Sequence, residues 1–125
     1  MPSPREIQIE VETFYVPERS EPQRSYYFFA YHITITNLGD EPAQLVRRHW
    51  KITDAHGRVE EVRGDGIIGQ SPRLEPGESF DYTSACPMRT QFGTMEGIYT
   101  MVRDNGREFE APIDQFMLAM PSALN

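Results

Sequence analysis

Polar and apolar residues alternate with a period of two along nearly the whole chain, the pattern of strands with one dry face and one wet face. Over residues 6–15, Ile7, Ile9, Val11 and Tyr15 alternate with Glu6, Gln8, Glu10 and Glu12. A polar loop containing Pro17 and Pro22 follows, through residue 24. The segment YYFFAYHITIT, residues 26–36, carries the strongest strand signal. Tyr27, Phe29, Tyr31, Ile33 and Ile35 share a face there, and Tyr26 and Phe28 on the other face predict partial cover on both sides. Asn37, Gly39, Asp40 and Pro42 then make a turn.

In QLVRRHWKITD, residues 44–54, Val46, Trp50 and Ile52 point one way and Arg47, His49 and Lys51 the other, which leaves Arg48 on the apolar side. DAHG at 54–57 reads as a hairpin turn and residues 58–62 as its return strand. Pro76-Gly77 turns into a strand bearing Phe80 and Tyr82, and residues 93–104 form another with Met95, Tyr99 and Met101 on one face. DNG at 104–106 is a hairpin signal. The last strand, near 107–118, carries Phe109, Ala111, Ile113, Phe116 and Leu118, with Pro112 marking an edge or a bend. No window keeps a 3.6-residue period, so the expected fold is all-β: two antiparallel sheets packed as an immunoglobulin- or fibronectin-type-III-like sandwich. Trp50 is the expected core aromatic and Tyr99 a candidate corner tyrosine.

Length and composition narrow this further. The 125 residues suit one domain, 1–125, and 38% hydrophobic with 25% charged residues is an ordinary globular balance. The net charge of −7 repels phosphate backbones, so nucleic acid is not an expected partner. One cysteine, Cys86, allows no internal disulfide and agrees with a reducing compartment. The N-terminus shows no leader signature, and no apolar run is long enough to span a membrane, so the expected location is cytoplasmic.

Candidate chemistry is sparse. GDGIIG, residues 64–69, has the G-x-G-x-x-G spacing of a dinucleotide loop, but Pro72 and Pro76 forbid the helix that such a loop must open, and Asp65 would repel a pyrophosphate. Gly64, Gly66 and Gly69 are better read as left-handed positions in a loop crossing between the sheets, with Ile67 and Ile68 tucked on the core. A weaker reading makes the loop a backbone cradle for a small anion, assisted by Arg63 and Arg73. His32, His49 and His56 lack ligand spacing; Asp54 and His56 beside a turn would hold a divalent ion only weakly. Cys86 has no base near it in sequence, Thr83 and Ser84 sit in no nucleophile elbow, and no cofactor motif occurs. Arg48 needs a carboxylate or backbone carbonyls; a structural ion pair is the expectation, and a fixed donor for a ligand or an acidic partner is the alternative.

RHWKITDAHG and the run GDGIIGQSPRLEPGESFDYTSACPMRTQFGTMEGIYTMV resemble the ApaG family of small bacterial proteins, over about residues 7–118. The resemblance rests on Arg48, His49 and Trp50, the three glycines, Pro76-Gly77-Glu78, Tyr82, Thr83 and Ser84, and Gly93, Met95, Gly97 and Tyr99. It implies a fibronectin-type-III-like sandwich, an association with cobalt resistance and magnesium efflux, and no established catalytic residues. Similar domains in some F-box proteins and in a polymerase-delta-interacting protein imply protein–protein contacts. A chain with no membrane span is not itself a transporter. Three functional readings follow. The leading one is a non-enzymatic protein-interaction module, with self-association through strand edges as one form of it. The others are a sensor of phosphate, pyrophosphate or nucleotide at the glycine loop, and a weak divalent-metal binder.

Overall fold

The computed structural model describes residues 5–122; residues 1–4, on which the leader expectation partly falls, lie outside that range. Among the described residues eight strands follow one another: β1 (Ile7–Tyr15), β2 (Tyr27–Asn37), β3 (Ala43–Asp54), β4 (Val59–Asp65), β5 (Arg73–Leu74), β6 (Ser79–Met88), β7 (Phe92–Val102) and β8 (Glu108–Ala119). Two short 3₁₀ turns, Pro17–Arg19 and Pro22–Arg24, occupy the predicted proline loop. The strands form two antiparallel sheets, β1-β2-β6 and β4-β3-β7-β8, with β5 also paired to β3. This is the expected β-sandwich. No helix among the described residues is long and apolar enough to cross a membrane.

The predicted inward residues of β2 are all buried, and Phe29, Ile33 and Ile35 are wholly so. On the outer face, Phe28 is covered by the Arg19 guanidinium, 4.2 Å from its ring centre. Trp50 is 3% exposed and meets Tyr31, Tyr99 and Phe116 at centroid distances of 5.6, 6.2 and 5.9 Å. Asn37, buried at the end of β2, spends its side-chain amide on the carbonyls of Glu41 and Leu74. Tyr99 is not a corner tyrosine. Its hydroxyl crosses the core to the Tyr82 hydroxyl, not back to its own main chain, and so links the two sheets.

Two bulges correct the simple alternation. Leu45 pairs with Met101 and Arg47 with Thr100, so Val46 is an extra residue in β3. The core position is therefore Leu45, fully buried, and not Val46. The phase resets at the bulge and turns Arg48, Trp50 and Ile52 inward. A second shift, where β7 meets β8 between Met95 and Gly97, lets Ile113 and Phe116 both reach the core despite their odd spacing.

The sandwich is asymmetric at its two open sides. On one, β1 packs against β8. Arg5 bonds Asp114 at 2.9 Å, and Arg103 pairs with Glu6 while its guanidinium lies 4.4 Å from the Phe109 ring centre. No comparable contact joins β4 to β6 on the other side. There the outer edges of β4 and β6 pair with no strand among the described residues.

Candidate functional site

The glycine loop does not cross between the sheets. Asp65 lies opposite Arg47, and Arg73 opposite Gln44, so β4 and β5 run collinearly along one edge of β3 and residues 66–72 are an excursion from that edge. The Gly66 N–H donates to the bulged Val46 carbonyl and anchors the excursion. The crossing to the other sheet comes later, in the Glu75–Glu78 turn between β5 and β6.

Each glycine answers a different demand. A Cβ on Gly64 would stand 2.8–3.0 Å from the Arg48 guanidinium. One on Gly66 would stand 2.2 Å from the Gln70 carbonyl oxygen, with φ at +59° besides. Gly69 needs only its φ of +74°. Ile67 and Gln70 exchange backbone hydrogen bonds of 2.7 and 2.8 Å around Ile68 and Gly69, a two-residue turn of the I′ kind. Ile67 is buried as expected, but Ile68 is 61% exposed at φ +46°, a strained conformation for a β-branched residue.

The anion cradle foreseen at Gly64, Gly66, Gly69, Arg63 and Arg73 is not gathered in one place. Arg73 is held by Asp104, at 2.6 and 3.1 Å, and by Glu75 at 2.5 Å. Hydrogen bonding to Arg73 in turn holds the Asp104 carboxyl below its ordinary range. Arg63, 71% exposed, leans on Glu61 at the outer face of the large sheet. The N–H groups of Gly66, Ile67 and Gln70 are spent within the protein.

The loop instead roofs a cleft of about 290 Å³ at the open side. Arg48 lies on the cleft wall. Its Nη1 donates to the carbonyls of Asp65 at 2.9 Å and Gly66 at 2.8 Å. No carboxylate among the described residues forms an ion pair with it, so the expected structural ion pair is replaced by backbone carbonyls. Tyr31, Ser84 and Tyr82 face it from the small sheet; Val62, Ile67 and Ile68 form the apolar rim. Burial raises the Tyr31, Tyr82 and Tyr99 hydroxyls above their ordinary range, so they stay protonated donors at neutral pH.

Cys86 lines the same cleft at 6% exposure, and its thiol is pushed up to about 11, by burial first and by Glu60 second. The thiolate is the reactive form. Ellman's reagent at pH 7 should label native protein at least about a hundredfold more slowly than unfolded protein, since the thiolate fraction falls about tenfold per unit of pKa and burial adds a further barrier. Rapid native labelling would show the cleft to be open down to its floor.

The outer face of the large sheet meets the cleft at Arg48, which lines both. A depression of about 400 Å³ holds Arg47, His49, Arg63 and Glu110. Arg47 bonds Glu108 at 2.7 Å and His49 bonds Glu61 at 2.8 Å, and beside the depression Lys51 lies 3.8 Å from Glu96. His32 bonds Thr83 and Asp81 on the small sheet's outer face. The Asp54 carboxylate accepts the N–H groups of His56 and Arg58, a local turn cap. Among the described residues no three His, Cys, Asp or Glu side chains converge as metal ligands do.

Fold and site together define a small β-sandwich domain with one sealed side and one open, arginine-bearing side. The ApaG domain model matches residues 17–103, and the chain belongs to that family. It is 52% identical to Protein ApaG of Bordetella pertussis over 122 residues, 98% of this chain and 93% of that protein. It is 53% identical to Protein ApaG of Ralstonia nicotianae over 120 residues, covering 96% and 97%. The crystal structure of a Bordetella pertussis protein described as ApaA superposes with a TM-score of 0.92 at 52% identity, covering 96% of this chain and 98% of that one.

Proposed function

We propose that the chain is a non-enzymatic, cytoplasmic protein-interaction module that receives its partner at the open side of the sandwich. One observation carries the reading: β4 and β6 offer unpaired edges there, flanking an apolar rim, while the opposite side is sealed by ion pairs. Unpaired edges are ready templates for an incoming strand. Pro87 in β6 removes one donor and blunts that edge, which makes β4 the better template. Ile68 supports the same reading, because strain is retained where a feature has a use. Any tie to cobalt or magnesium handling runs through the partner. The sensor reading at the glycine loop draws less support, since the loop's amides and Arg73 are already engaged.

A photo-crosslinking amino acid at Val62 should capture a discrete partner from native cytosol, and one at Met117, exposed on β8, should not. Ile68→Asn, which creates an Asn-Gly I′ turn, should raise stability by about 1 kcal/mol by relieving left-handed strain, and at the same time weaken capture. Equal capture at both positions, or capture indifferent to Ile68, would defeat the proposal.

A further inference from the structure

We infer that the cleft recognises an acidic side chain of the partner, carried two positions from an apolar one on an extended segment. The inference rests on the open side being the docking surface and says what that surface reads.

Arg48 is the cation. It is inward-facing, half-buried and pinned through Nη1 to two carbonyls of the loop, so its guanidinium is already oriented. None of the ion pairs among the described residues includes it, although other arginines, Arg47, Arg73 and Arg103 among them, are so matched. A guanidinium held in place and facing a cleft that supplies no carboxylate is a site for a carboxylate from outside. Gly64 is part of the arrangement, because any side chain there would occupy the space of that guanidinium.

The second position follows from strand geometry. Arg48 and Trp50 are two apart on β3 and face the same way, opposite Gly64 and Val62 on β4. Successive same-face residues on a strand lie about 6.6–6.8 Å apart. A segment added along β4 therefore presents its side chains to the cleft with that same spacing. An acid over Arg48 places the residue two positions away over Val62 and the edge of Trp50, which is an apolar surface. Glu60, two residues along β4 from Val62 and opposite Ile52, lies just beyond the residues that line the cleft and disfavours a second acid at that end. The cleft, at about 290 Å³, has room for two such side chains and little more.

The test uses the intact chain and blocked peptides: Thr-Glu-Thr-Leu-Thr and its reverse Thr-Leu-Thr-Glu-Thr, the Gln-for-Glu versions, and Thr-Glu-Leu-Thr-Thr, in which the two groups are adjacent. Proton–nitrogen correlation NMR follows the Arg48 side chain and the amides of Gly64, Ile67 and Ser84. One of the two spaced Glu peptides should give saturable shifts at these sites. The Gln version should bind about tenfold more weakly, the loss expected for a charged hydrogen bond, and the adjacent version should weaken similarly. Arg48→Gln should remove the Glu–Gln difference. Should that variant unfold, the Glu–Gln comparison on the natural chain still decides. Equal binding of Glu and Gln peptides, shifts confined to other surfaces, or no binding overturns the inference. Hexanoate shifting the same resonances with at least the affinity of the peptides would assign the cleft to a free small acid and overturn the partner side chain. Crosslinking at Val62 that persists alongside a failed titration would leave the docking surface standing without its acidic code.

Discussion

Trp50→Ala should destabilise the domain by about 3–5 kcal/mol, the range for deleting a large buried aromatic and leaving a partly unfilled cavity. The residue sits where the two sheets meet. Its ring takes three aromatic edges, from Tyr31 on β2, Tyr99 on β7 and Phe116 on β8. Gly97 lies opposite in register, and a Cβ there would stand 3.2 Å from the indole, so the backbone of β7 closes on the ring with no spare room. With no disulfide to join the sheets, this cluster and the Tyr82–Tyr99 hydroxyl contact couple them through the core, in addition to the β1–β8 contacts at the sealed side. Chemical denaturation followed by circular dichroism reads the loss as a drop in midpoint at unchanged slope. Trp50→Phe should recover a large part of it. A loss below about 1 kcal/mol for the alanine variant would mean that the core closes over the gap, contrary to close packing on all sides.

Gly66→Ala should cost about 3 kcal/mol, and Gly69→Ala only about 1 kcal/mol, although the two belong to the same motif. Both have positive φ. At Gly69 nothing lies within 4 Å of the added methyl, so only the left-handed penalty applies. At Gly66 the methyl would also stand 2.2 Å from the Gln70 carbonyl oxygen, and that carbonyl is bonded to the Ile67 amide. The turn has to open, and its opening loosens the Gly66 carbonyl on which Arg48 rests. Thermal unfolding of the two variants side by side measures the difference. Equal effects would show that the loop adjusts freely and that Arg48 is not held by it. A nucleotide cradle makes the opposite demand: both glycines would matter for ligand affinity, and neither much for the fold without ligand.

Much of this fold could be read directly from local pattern. Tyr27, Phe29, Tyr31, Ile33 and Ile35 alternate because strand side chains alternate, and the turns at Asp54–Gly57 and Asp104–Gly106 announce themselves by composition. The exclusion of a dinucleotide loop is local too, since Pro72 and Pro76, three and seven residues past Gly69, would put a proline ring in the interior of any helix that started there. The bulges were not legible. Whether Leu45 or Val46 faces the core depends on how β3 is offset against β7, and an offset is a property of two strands. The partners of Arg48 and Arg73 were hidden for the same reason, being carbonyls in one case and the distant Asp104 in the other.

By itself, then, the sequence determined that this chain makes strands, which face of most strands is dry, and that a helix cannot follow Gly69, because each of these depends on residues within a few positions of one another. Only the tertiary structure decided that β1 seals against β8 while β4 and β6 stand apart, and that an inward arginine is left facing the gap without a carboxylate. Those outcomes depend on distances between residues far apart in sequence, which hydrophobic alternation does not encode.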